Sequence, residues 1–146
     1  MSDAIQYNRL TEADLAFLQA AVAPDGKVIA RDAIHEDFSH DEMGAVHHFP
    51  DVLVEAASAA QVAAILRYAN GRRIPVTPRG QGTGLVGAAV ALCGGIMLST
   101  ARMNRILELD EENLTLTVEP GVLLMDIAKF VEEHDQYLER VDGPGV

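Results

Sequence analysis

The chain has 146 residues, enough for one domain with a core of its own, and 49% apolar with 23% charged residues is ordinary globular composition. Against 22 Asp and Glu stand 11 Lys and Arg, a formal charge of -11 that argues against nonspecific nucleic-acid binding and against anionic membranes. The single cysteine, Cys93 in AALCGG, excludes an internal disulfide framework and a multi-cysteine metal site, and is expected to be a small buried residue.

The first residues, MSDAIQYNRLTEADL, show no basic region ahead of an apolar run, so no secretory signal is read. The longest low-charge run, residues 80–101, carries six glycines and a polar threonine and is a poor membrane span. A cytoplasmic protein without an integral membrane segment is the expectation.

Thr11 is placed to cap a short helix, with Asp14 completing a capping box and Leu15, Leu18 and Val22 at helical spacing. Pro24-Asp25-Gly26 ends it, and residues 27–29 form a brief extended piece. Residues 31–50 are irregular and rich in acids and histidines. Asp32, His35, Glu36, Asp37, His40, Asp41, Glu42, His47 and His48 match neither a helical HExxH zinc site nor a calcium loop. The segment reads as a surface loop of solvated charges, pinned by Phe38 and Met43, and no metal site is expected.

Order becomes clear from Pro50. Residues 51–55 (DVLVE) read as a buried strand. Ser58 caps a helix with Val62, Ile65, Leu66 and Ala69 on one face and Gly71 at its C-terminal end. Residues 74–77 (IPVT) form a second strand with an edge proline, completing a compact βαβ unit. Then comes PRGQGTGLVG, whose Gly80, Gly82, Gly84 and Gly87 leave the backbone bare beyond a strand's C-terminal end, where α/β folds tend to bind ligands. Further on, IMLS is a strand, TARMN a single turn, RILELD and LTLTVEP a hairpin across DEEN, and residues 122–133 a helix with Leu124, Ile127, Ala128 and Val131 inward. The last residues, QYLERVDGPGV, carry turn residues and no element to pack. The pattern is α+β with a mixed sheet.

Residues 82–87 satisfy G-x-G-x-x-G, but a nicotinamide-binding fingerprint needs a helix of ordinary length next and an acid closing the following strand about 20 residues on. Here Cys93-Gly94-Gly95 interrupts too early, and Asp110 is too distant and ends half of a hairpin. A P-loop fails because no Gly-Lys-Ser/Thr follows. What survives is the physical content: small residues in consecutive turns expose several N–H groups to one side, a nest for anionic oxygens, with Arg79 and the Thr83 hydroxyl alongside. A pyrophosphate is the natural guest. The alternative is a glycine-rich bend that lets two strands pass closely. Glu119-Pro120-Gly121, between a strand and a helix, is a turn and a second candidate ligand neighbour.

Residues 75–85 (PVTPRGQGTGL), 94–99 (GGIMLS), 102–106 (RMNRI) and 118–122 (VEPGV), with the layout of residues 25–76, resemble the FAD-binding domain of the vanillyl-alcohol-oxidase type. Within it they resemble the branch that holds the D-type subunit of glycolate oxidase and the D-lactate dehydrogenases. The resemblance covers roughly residues 25–146. After the N-terminal helix and irregular lead-in over 1–49, it implies over 50–146 the first half of a FAD-binding α+β domain, a βαβ unit plus mixed sheet. By the same resemblance, the rest of that domain and the substrate or cap domain are expected to lie outside this chain. It also implies that Pro78, Arg79, Gly80, Gln81, Gly82, Thr83, Gly84 and Leu85 wrap the pyrophosphate and ribityl chain of FAD. Gly87 would support that turn, while Pro120 and Gly121 approach from the next strand end. Some relatives attach FAD through a histidine in this loop; none stands here, so noncovalent FAD is expected.

Such enzymes oxidise a small 2-hydroxy acid, such as D-lactate or glycolate, and pass electrons from flavin to a separate acceptor. No catalytic residue is assigned within this chain, which alone is expected to be inactive. The family usually continues into a Pro-Pro-Asp-Pro-Gly type segment; Val141-Asp142-Gly143-Pro144-Gly145 only approximates it. A different class of reading is a non-catalytic α+β module, binding a partner protein or self-associating through an incomplete surface.

Overall fold

The computed structural model describes the backbone of residues 6–141. The chain divides into two compact units, one ending at Met103 and one beginning at Asn104.

The first unit runs α1 (Glu12–Val22), β1 (Lys27–Ala30), β2 (Val52–Glu55), α2 (Ala59–Arg72), β3 (Val76–Arg79) and β4 (Ile96–Ser99). Its sheet has the order β1-β2-β4-β3: β1 is antiparallel to β2, while β2 and β3 both run parallel to β4. The expected βαβ unit is therefore present, with β4 inserted between its two strands. All four residues of β4 are buried, as an apolar run in a central parallel strand should be. Alternation along β2 separates two cores. Val52 and Val54 join Leu18, Val22, Ile65 and Ala69 under the helices. On the other face Leu53 joins Met97, Ile34 and Ala91, with Phe38 and Phe49 packed against them. Full burial of a side chain such as Leu18 or Ile65 contributes about 1.5–3 kcal/mol.

The capping box of α1 forms as expected: Asp14 Oδ2 accepts from Thr11 N at 2.8 Å, and Thr11 Oγ1 accepts from Asp14 N at 3.4 Å. Asp14 also does something the box alone does not show. Its Oδ1 accepts from the Tyr68 hydroxyl at 2.7 Å and Arg72 Nε at 3.0 Å, so this fully buried carboxylate joins α1 to α2. The Tyr68 ring stacks on Phe17 with centroids 3.7 Å apart.

Ser58 caps α2 through Gln61 N, as read from the sequence. At the other end Gly71 is not the terminator. The helix runs through it to Arg72, and Arg73 takes the left-handed conformation at φ 51°. Asn8 makes that ending possible: its side-chain amide donates to Arg72 O and its backbone N–H to Arg73 O. Of the expected apolar face, Ile65 and Ala69 are buried, whereas Leu66 is exposed. Strand β3 starts two residues later than expected, because Ile74 N is taken up in closing the helix end on Ala69 O. Pro78 is tolerated since β3 lies at the edge of the described sheet, beside β4.

Further expectations for this unit are overturned. Residues 31–50 are not simply a loop of solvated charges: after short 3-10 turns at Arg31–Ala33 and Glu36–Ser39, both Ser39 and Asp41 are buried. Phe38 packs against the second core as expected, but Met43 is exposed. Cys93 is exposed, because the turn before β4 buries Val90 and Ala91 instead.

In the second unit β5 (Ile106–Asp110) and β6 (Thr115–Val118) form the expected hairpin, with a bulge between Ile106 and Glu108. Asp110 holds the turn by accepting from Asn113 N at 3.0 Å and Nδ2 at 2.8 Å. Helix α3 (Leu124–Val141) extends well beyond the expected 122–133, through much of the stretch read as having no element. Its half-buried stripe is Ile127, Phe130 and His134; Leu124, Ala128 and Val131, expected inward, are exposed. Asp142, Gly143, Pro144 and Gly145 lie outside the described residues. No helix among the described residues is long and apolar enough to cross a membrane.

Candidate functional site

The connection from β3 to β4 joins adjacent parallel strands, a task that takes a crossover of a dozen or more residues, usually a helix. Here residues 80–95 make the crossover with bends and turns alone. No helix follows the glycines, as the early Gly94-Gly95 break requires.

Gly82 and Gly87 adopt positive φ, 77° and 73°, which L side chains rarely accept. Gly80 has open space where a Cβ would stand, and Gly84 has only Asp41 Oδ2 nearby. The N–H groups of residues 80–86 make no hydrogen bond among the described residues. Pro78, Gly80, Gln81, Thr83, Gly84 and Leu85 are all exposed. This is a row of unpaired donors whose glycines carry no side chains of their own, and it fits a phosphate-bearing ligand.

Arg79 is only 6% exposed and its guanidinium is turned inward. Nη1 donates to His40 O at 2.8 Å and Ala89 O at 3.2 Å, Nη2 donates to Asp37 O at 2.8 Å, and the group lies over the Phe38 ring. Burial lowers its pKa from the ordinary value, and the Asp41 and Asp37 carboxylates pull the other way; it remains a cation. From the same segment, Asp41 Oδ2 accepts from Gly87 N at 2.7 Å and Glu42 N donates to Gly82 O at 3.2 Å. The histidines nearby bond within that segment: His40 Nδ1 lies 3.1 Å from Asp41 O, and His47 Nε2 lies 3.1 Å from Gly44 O. Among the described residues no group of three or more His, Cys, Asp or Glu could hold a metal ion.

The structure thus places Pro78 and Arg79 at the end of β3 and Gly80, Gln81, Gly82, Thr83, Gly84, Leu85 and Gly87 on the crossover that follows, while Pro120 and Gly121 lie in the second unit. There the turn closes through Val122 N on Glu119 O, and Glu119 binds Arg105 through Nη2 at 2.7 Å and Nε at 3.1 Å. Those hydrogen bonds, with one from Arg105 N, hold the Glu119 carboxyl below its usual range and raise the Arg105 guanidinium. Asp41 is the site-region residue that sequence reasoning missed. It was visible only as one acid among many, and nothing local marks it for burial.

A family model described as FAD binding domain matches residues 50–143. D-lactate dehydrogenase of Anaerostipes hadrus is 45% identical over 88% of this chain and 27% of its own length. Glycolate oxidase subunit GlcD of Bacillus subtilis is 39% identical over 65% of this chain and 20% of its own length. D-2-hydroxyglutarate dehydrogenase of Danio rerio is 33% identical over 90% and 24%. The chain therefore spans about a quarter of the length of these curated relatives. Among solved structures, p-cresol methylhydroxylase superposes with a TM-score of 0.73 at 23% identity, covering 90% of this chain and 27% of that one, a likeness of fold. Matching family model, sequence relatives and fold agree: the chain belongs to the FAD-binding domain family of the vanillyl-alcohol-oxidase type, in the branch of D-lactate dehydrogenase and the GlcD subunit of glycolate oxidase.

Proposed function

We propose that this chain is the cofactor-gripping part of a FAD-dependent oxidoreductase that oxidises a small 2-hydroxy acid, such as D-lactate or glycolate, and passes the electrons to a separate acceptor. The observation that carries the reading is the helix-free crossover of residues 80–95, with the unpaired N–H groups of residues 80–86. Those groups would hold the pyrophosphate, Thr83 would add its hydroxyl, and Arg79 would act from beneath by fixing the loop. Gln81 and Leu85 would border the ribityl chain. Pro120 and Gly121 are proposed as cofactor contacts on the family resemblance alone.

When bound, FAD supplies the two-electron redox chemistry, and the protein supplies placement and electrostatics. No residue of the chain is proposed as catalytic. With no histidine in the glycine loop, attachment is noncovalent. The relatives named D-lactate dehydrogenase, glycolate oxidase subunit GlcD and D-2-hydroxyglutarate dehydrogenase support the substrate class. The cytoplasm is the proposed location.

The test is to express the full-length protein that contains this chain and add D-lactate, glycolate and D-2-hydroxyglutarate separately. Bleaching of the flavin's visible absorption by at least one of them is expected, and no bleaching by any would overturn the reading. The 146-residue chain alone is expected to retain FAD weakly or not at all through gel filtration, since buried ligand surface drives affinity.

One observation favours a second reading, a non-catalytic module that associates with a partner or with itself: Leu114, Leu124 and Met125 of the second unit are all at least 80% exposed. A monodisperse monomer by light scattering at high concentration would count against it.

A further inference from the structure

Burying a carboxylate is costly unless its oxygens are satisfied, and Asp41 is 2% exposed. Its two oxygens face two different segments. Oδ1 accepts from Met43 N at 3.2 Å and closes its own turn, while Oδ2 accepts from Gly87 N at 2.7 Å, 46 residues away. One residue on, Glu42 N donates to Gly82 O at 3.2 Å. Residues 41 and 42 therefore grip the loop at Gly82 and at Gly87, two of its positive-φ positions, which bracket residues 83–86. Arg79 supplies the counter-charge: its guanidinium bonds the carbonyl of His40, next in sequence to Asp41, and feels the Asp41 carboxylate.

A neutral hydroxyl or amide could close the Met43 turn. Only a carboxylate offers two full acceptor oxygens, one for each segment. We propose that Asp41 is a positioning residue of the cofactor loop: it takes the Gly87 N–H and fixes the curvature that leaves the N–H groups of residues 80–86 free for a diphosphate. This rests on the reading of the loop as the FAD site. Because the loop carries few side chains, its shape must be imposed from outside, and the segment read as solvated charges is what imposes it.

The test is an amide-resolved NMR titration of the 146-residue chain with FAD, together with hydrogen exchange of the Gly87 amide. Wild type is compared with Asp41→Asn and Asp41→Ala at a temperature where all are folded. Ser39→Ala is the control, since Ser39 is buried in the same segment and its side chain makes no bond to the loop. Expected are exchange at Gly87 about tenfold faster or more in both Asp41 variants, as for loss of a bond to a charged group, with weakened FAD-induced shifts over residues 80–87. Ser39→Ala should lower the unfolding midpoint yet keep both signals. If Gly87 exchange is unchanged in Asp41→Asn and Asp41→Ala, or if their FAD titrations coincide with wild type, the proposal is overturned while the FAD reading stands. If wild type shows no loop shift with FAD, the Gly87 exchange alone decides this role, and the FAD reading is decided by flavin binding in the full-length protein.

Discussion

Gly82 lies against the guanidinium of Arg79, and with φ at 77° a side chain at position 82 would enter the space that guanidinium fills. The cation cannot readily move aside, because it is fixed on the carbonyls of Asp37, His40 and Ala89. The relationship makes Arg79 a shaper of the loop, in addition to being a charge close to it.

Arg79→Lys separates shape from charge. An ammonium keeps the charge but lacks the planar fork that serves these carbonyls together. Buried carbonyls left unsatisfied cost about 1–3 kcal/mol each. Arg79→Lys should therefore lose nearly as much stability as Arg79→Ala, on the order of 2–4 kcal/mol by urea unfolding. A lysine variant as stable as wild type would show that the fork is not needed.

Two glycine-to-alanine changes should behave oppositely. At Gly95, φ is 71° and a Cβ would collide with the carbonyl and ring of Pro75, where β3 meets β4. Gly95→Ala should destabilise by about 2–4 kcal/mol or prevent folding. At Gly80 nothing lies within 4 Å of the added carbon, so Gly80→Ala should leave the unfolding midpoint within about 2 °C while weakening FAD binding in the full-length protein. Thermal unfolding and a flavin titration check both.

Acid should act through Asp14. Burial opposes its ionisation, but hydrogen bonds from Thr11, Tyr68 and Arg72 outweigh that and hold the carboxyl well below the usual range. Because the folded value is depressed, the unfolded chain binds the proton first as pH falls. The contribution is fully present above about pH 5 and declines below about pH 4, through the low folded value. Urea unfolding between neutral and acid pH should show that decline. Asp14→Asn should flatten it and lower the neutral-pH midpoint by about 5 °C or more.

What was legible in the chain is what is decided locally. The Thr11–Asp14 box, the Ser58 cap, β4 and the hairpin turn depend on residues within a few positions of one another. The glycine loop was legible for the same reason, since bare backbone is written in consecutive letters. The second role of Asp14 depends on Tyr68, 54 residues away, and the burial of Asp41 on Gly87, 46 away. Neither partner has a spacing that periodicity can detect. Gly71 misled because glycine usually ends helices, whereas here Asn8 donates to the last carbonyls while Arg73 takes the left-handed turn.

Leu114 offers a gain in stability. It sits in the hairpin turn at φ 53°, and its side chain is 88% exposed, so strain is accepted with little packing in return. Leu114→Gly should stabilise the chain by about 0.5–1 kcal/mol, read as an upward shift of the thermal midpoint. A fall would mean that Leu114 packs more than its exposure shows.

The order β1-β2-β4-β3 ties assembly of the sheet to the loop. Among the described residues, strand β4 alone pairs with β3 and bridges it to the rest of the sheet, and it reaches that place only after the chain has traversed residues 80–95. A growing chain that had not yet added β4 could hold β1 on β2 but would leave β3 unmatched. The ligand loop is thus closed in the same event that completes the sheet, so a change that strains the return into β4, such as Gly95→Ala, should slow or prevent folding, whereas one that leaves that path open, such as Gly80→Ala, should not.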